Sequence, residues 1–203
     1  MGSKRTKGWK HLLLIFVGTF LTAALVGIGS ELLVRHSSLL AAGVFLLAVI
    51  GTGILFDIIG MAATAATEAP HHARAANRVF GAQQAVYLIR NADVVANFSN
   101  DIVGDVAGTL SGVTAATIVL DLIRYSPALS TYEIWLNTGM LALAASLTIT
   151  GKAAGKTFAI QEANEIIALV GRLIATVEKL TGWTLTKPKK RRGRKNEPTR
   201  KNS

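Results

Sequence analysis

The chain has 203 residues, of which 50% are hydrophobic and 17% charged, with a formal net charge of +10, no cysteine and a mean hydropathy of +0.40. Without cysteine, disulfides, thiolate nucleophiles and cysteine-ligated zinc or iron–sulfur centres are excluded. Most of the net charge lies beyond Thr186, leaving long uncharged runs elsewhere, which is the pattern of an integral membrane protein with one small helical bundle.

In residues 1–10, Lys4, Arg5, Lys7 and Lys10 precede an uncharged run from Leu12 to Ser30. At ~1.5 Å per residue such a run just crosses a ~30 Å hydrocarbon core. A secretory signal has the same basic head, but this run is long for one and no convincing A-x-A site follows, so a retained first crossing is expected. Glu31, Arg35 and His36 make a short polar break. The second apolar run, Ser37 to Phe56, continues through Asp57 to about Thr67, and Gly53, Asp57, Gly60 and Thr64 recur at helical spacing as one small, polar face.

Glu68 to Asp93 is polar and basic. Pro70 suits the first turn of a new helix. Val79, Phe80, Val86, Tyr87 and Ile89 read as one side of a helix lying on the membrane surface. The third crossing, about Val94 to Ile123, is longer than a bilayer requires, so it must tilt, kink near its glycines or extend beyond the core. Pro127 closes it. Tyr132 and Trp135 fit an interfacial aromatic belt, and the uncharged Ile134 to Gly151 is the fourth crossing, with Lys152 and Lys156 marking its cytoplasmic exit.

Asn164 to Leu180 has an amphipathic pattern too charged to span. The tail, residues 186–203, is basic and proline-containing and is expected to be disordered. It reads as a positive-inside anchor for anionic lipid headgroups, and nucleic acid is not expected because no base-reading module accompanies the charges. The expected architecture is all-α. About four transmembrane helices lie within residues 11–160, an amphipathic juxtamembrane helix within 161–185, and both termini on the cytoplasmic side of a cell membrane.

Ala96 to Gly112 is the stretch that carries chemistry. Asn97, Asn100, Asp101 and Asp105 lie in an apolar segment, followed by Gly108 and Gly112, and on a regular helix all but Asn100 share one stripe. Carboxylates inside a membrane helix cost roughly 2.5–3.5 kcal/mol each on insertion scales, so such residues meet a bundle interior, a partner or an ion. Facing Asp57, their oxygens suit a hard divalent cation such as magnesium, which tolerates few protein ligands and retained water. Interhelical hydrogen bonding is the other reading of the same residues.

Glu68, His71 and His72 do not read as a metal site, because adjacent histidines on a helix point apart. An intramembrane aspartyl protease would need Gly-x-Gly-Asp, but Ile102 stands where the first glycine belongs. No Ser–His pair, H-E-x-x-H helix or phosphate-cradling loop occurs, and no enzymatic activity is expected.

From Phe56 to about Leu173 the order of parts resembles the transmembrane domain of the cyclin M and CorB/CorC family of magnesium and cobalt transporters. The segment RVFGAQQAVYLIRNAD is similar to the family's lead into an Asn-Pro pair, with Asn91 in the Asn place. SNDIVGD resembles its Gly-Asn-Asn signature, with Asn100 and Asp101 on the two carboxamides. GKAAGKTFAIQEANEIIA is similar to the later Gly-Glu-x-x-Pro-Lys-Thr-x-Ala motif, retaining Gly151, Lys156, Thr157 and Ala159. Lys152 stands where that motif has Glu, Gly155 replaces its Pro, and Ala92 replaces the Pro after Asn91. The family's cytoplasmic regulatory domains have no counterpart in these residues. The resemblance implies a homodimer that transports magnesium, or cobalt; the polar stripe itself makes Asp101 the expected chief ligand.

Overall fold

The hydroxyl of Ser38 accepts a hydrogen bond from the Ala41 N–H at 3.3 Å and so caps the first turn of α1, Leu39–Ala65. The computed structural model describes residues 38–183 throughout and, before them, a subset of residues between 9 and 29. Among the described residues the fold is all-α. After α1 come α2 (Glu68–Ala76), α3 (Ala82–Arg90) and α4 (Ala92–Ala96). A π-helical segment, Asn97–Val103, joins α4 to α5 (Gly104–Tyr125). A 3-10 turn, Pro127–Tyr132, then leads to α6 (Glu133–Gln161), and α7 is Ala163–Thr181.

Three helical stretches are long and apolar enough to cross a membrane: Leu39–Ala65 with 27 residues, Ala92–Tyr125 with 34 and Pro127–Gln161 with 35. They correspond to the second, third and fourth expected crossings and suggest a multi-pass membrane protein. The first expected crossing is described in part, as helical residues between Phe16 and Gly29, where the Phe16 and Phe20 rings stack with centroids 6.4 Å apart. The polar break at Glu31–His36 and the basic tail lie outside the described residues.

Two boundaries differ from expectation. The surface segment after Glu68 is two helices, because Arg78 and Gly81 adopt positive φ of 54° and 81° and break the chain between them. Val79 and Phe80 therefore sit in the break, not on a continuous helix face. The helix of the last crossing continues past Lys152, unbroken to Gln161, since nothing between Gly151 and Gln161 stops a helix.

Two apolar cores hold the bundle. At one end Ala42, Leu46 and Ile50 of α1 meet Ala115 and Ile118 of α5 and Ala144 of α6. At the other, Ala62 and Ala63 of α1 meet Ala85 and Leu88 of α3, Ala159 of α6, and Ala163 and Ile167 of α7. Small residues dominate both, as expected where lipid gives apolar side chains little reason to associate and backbone approach must supply the contact.

The tightest approach is between α3 and α7. A Cβ on Gly171 would meet the Gly81 carbonyl oxygen at 2.6 Å and the Ala85 nitrogen at 2.9 Å, both rigid backbone atoms. Gly171→Leu is therefore expected to destabilise the protein by about 2 kcal/mol or more, through overpacking that backbone cannot relieve. Gly139→Ala, with nothing within 4 Å of its Cβ, should be neutral or stabilising. Thermal unfolding of both variants in detergent checks this; equal midpoints would remove the crossing as a stability determinant.

Candidate functional site

Between the two cores lies a polar layer built on α1. Gly53 faces α5, where a Cβ on it would meet Ala107 Cβ at 3.0 Å, and Gly60 lies against the carboxamide of Asn100 and the Ser99 Cβ. Asp57 sits on the same stripe of α1, about one turn from each glycine, and is only 5% exposed. Its carboxyl thus belongs to the interval bounded by Ala107 on one side and Ser99–Asn100 on the other. Gly104 of α5 falls in that interval.

From the third helix α6, Gly151 and Gly155 pack on Ile54 and Ile58 of α1. They bring Lys152 into the same layer. Its ammonium lies 3.3 Å from where a Cβ on Gly104 would stand, and the side chain is half-buried.

The π-helical segment sets which residues of the second span face this layer. The buried positions Ser99 and Gly104 are five residues apart, whereas beyond Gly104 burial recurs at Ala107, Ser111, Thr114, Ala115 and Ile118 with ordinary α spacing. A π turn carries one residue more than an α turn, so the faces before and after it are offset. In the spans, hydroxyls are satisfied locally: Ser111 Oγ donates to the Ala107 carbonyl at 2.7 Å and Thr148 Oγ1 to the Ala144 carbonyl at 2.8 Å.

Three buried oxygens of this region have no hydrogen-bond partner: Asp57 Oδ2, Asn100 Oδ1 and Thr114 Oγ1. An orphaned buried acceptor costs about 1–3 kcal/mol, more if charged, so Asp57 and Asn100 together mark a place that expects something positive.

The five sequence-selected residues therefore divide. Asp57, buried on α1, and Asn100, against Gly60 one turn away, both lie at the interface of α1 with the second span. Asn97, Asp101 and Asp105 are exposed on the outer face of the span and do not join them. Of the three glycines spaced by four from Gly104, expected to pack, Gly104 does so within the chain, while Gly108 and Gly112 share that outer face with nothing within 4 Å of either. Ser99 and Lys152 belong to the layer and were not selected from sequence. The five-residue step of the π segment hides Ser99, and Lys152 reads as an exit charge when the helix is assumed to end there. A neighbouring groove of about 270 Å³ between α1 and α5, lined by residues such as Phe45, Val49, Val106 and Leu110, offers no charged group to a ligand.

A second set of polar groups lies outside the spans. His72 Nε2 and Glu68 Oε2 are 2.9 Å apart, and Arg90 reaches both, at 3.1 Å and 3.3 Å. The hydrogen bond from His72, then that from Arg90, holds the Glu68 carboxyl below its usual range. His71 turns the other way, as adjacent helical positions do, and is fully buried with neither ring nitrogen partnered. Asn164 stands near, but its carboxamide oxygen already accepts from the Thr67 N–H at 3.0 Å. Among the described residues no three His, Cys, Asp or Glu side chains group to hold a metal ion.

Burial, and after it the charge of Arg74, pushes the His71 pKa below its ordinary value of 6.5. The unfolded ring then takes up a proton that the folded ring resists, so the stability due to neutral His71 is complete above about pH 6.5 and is lost as pH falls below it. The unfolding midpoint should drop more in the wild type than in His71→Met between about pH 7.5 and 5.5. Parallel drops in the two proteins would clear His71 of that role.

Comparison with known proteins gives no match: no family model, no curated protein and no solved structure is significantly similar to the chain.

Proposed function

We propose that this multi-pass membrane protein binds a divalent cation, magnesium first, in the layer between Asp57 and Asn100, and moves it by exposing that layer to each side in turn. The observation that carries the reading is two buried, unpartnered oxygens on facing helices, Asp57 Oδ2 on α1 and Asn100 Oδ1 on the π segment, the latter lying against Gly60, one turn along α1 from Asp57. They are hard oxygen donors, and magnesium commonly takes one or two carboxylates while keeping several waters, so two protein oxygens are a sufficient anchor. The resemblance to the cyclin M and CorB/CorC family supports the same class of cargo and puts Asn100 on one of that family's carboxamides. The polar stripe points to Asp101 as chief ligand, whereas burial favours Asp57 for that role.

Isothermal titration of magnesium into the purified protein, with flux into proteoliposomes, tests this. Asp57→Ala should weaken binding by about tenfold or more and abolish flux, while Asp105→Ala should leave affinity within about twofold. Binding that is indifferent to Asp57 would defeat the assignment.

A second reading, a membrane scaffold or partner subunit that transports nothing, is favoured by the outer surface. The apolar window of the Pro127–Gln161 span is only 6% buried, and Asn97, Asp101 and Asp105 stand on the outside of the second span. Carboxylates on that face call for a protein cover, and a second copy of this chain supplies one with matching Gly108 and Gly112. A detergent-corrected mass should then be that of a dimer, shifting towards monomer in Asp105→Leu. A monomeric wild type would rule out self-association as the cover.

A further inference from the structure

We infer that Lys152 is a tethered competitor for the Asp57–Asn100 layer: its ammonium supplies the positive charge there, and a diffusible divalent cation enters only as this side chain withdraws. The inference rests on the cation-binding reading above and adds its regulation. Three observations carry it. The ammonium of Lys152 lies beside Gly104, in the interval between Ala107 and Ser99–Asn100 to which the Asp57 stripe of α1 is turned. Asp57 Oδ2 and Asn100 Oδ1 nevertheless remain without partners, so the lysine has not closed on them as a structural ion pair would. The lysine is half-buried, not enclosed, and its flexible four-carbon stem can change rotamer without movement of α6.

The chemistry follows from charge. A fixed ammonium and a divalent cation within a few ångströms of one carboxylate repel each other strongly where water is scarce, so the two cannot share the layer. With Lys152 turned in, the layer needs no ion; with Lys152 turned out, the carboxylate and carboxamide are left to be satisfied by one. The other charges of this end of the bundle do not fill that role. Lys156 is exposed one turn further along α6, and Asp101 of the π segment and Asp105 of α5 face outward. A shape-preserving removal of the charge should therefore open the site, while a change of cation head should not.

The test is magnesium titration into the purified full-length chain and its variants. Lys152→Met and Lys152→Gln should each bind magnesium about tenfold or more tightly than the wild type, Lys152→Arg should bind like the wild type, and adding Asp57→Asn to Lys152→Met should abolish the gain. Two neutral replacements are used so that one poorly folded variant does not decide the matter, and unfolding midpoints report on that directly. If magnesium binds the wild type through Asp57 but with the same affinity in both neutral variants, the cation site stands and the tether is wrong. If neither the wild type nor any Lys152 variant binds magnesium, the cation reading itself fails and takes the tether with it.

Discussion

Everything in this bundle depends on how closely the other two spans can approach α1. Gly53 and Gly60 admit the second span, Gly151 and Gly155 admit the third, and at each position a side-chain carbon would collide with the neighbour. Between lipid-solvated helices the hydrophobic effect gives little net attraction, so association relies on close packing and on polar contacts. The same four glycines decide that Asp57 is enclosed. Were the helices to separate by the width of a methyl group, lipid or water would reach the carboxyl, and the distinction between an inner polar layer and an outer polar stripe would vanish.

The layer sits between two apolar plugs of different make. The plug near Ala42 and Ala115 belongs to the three spans alone, whereas the other borrows α3 and α7 from outside them. That second plug is fastened by polar contacts: the Thr67 N–H and hydroxyl both donate to Asn164 Oδ1, at 3.0 Å and 3.3 Å, and Arg74 pairs with Glu165 at 3.1 Å. The Arg74–Glu165 pair is solvent-exposed and contributes little energy, about 0–1 kcal/mol.

The spans were legible in the sequence because uncharged runs of bilayer length leave few alternatives, and α7 was legible because its apolar period is long and clean. Asp57 was legible as an inward residue because glycines flank it at helical spacing. The orientation of Asp101 and Asp105 was not. Apolar and polar positions in a membrane helix carry no inside–outside pattern like that of a soluble protein, since lipid and core are alike apolar. Glycine spacing alone could not say that Gly104 packs and that Gly108 and Gly112 do not. The division of residues 68–90 into two helices turned on Arg78, a non-glycine residue at φ 54°, which no local pattern announces.

The π segment bears on how chains of this kind can be compared. Residues 97–103 hold one residue more than an α-helix of the same rise would, and that surplus turns α5 by about 100° relative to α4. A sequence with a one-residue gap there would not be missing a ligand; it would have a straight α-helix whose downstream half presents a different face. An alignment that slides motifs across the segment at constant spacing would equate inner positions with outer ones from Gly104 onward. Short polar signatures in this span are therefore best anchored separately on each side of Asn97–Val103, with the deletion or addition of a single residue treated as a rotation of the helix.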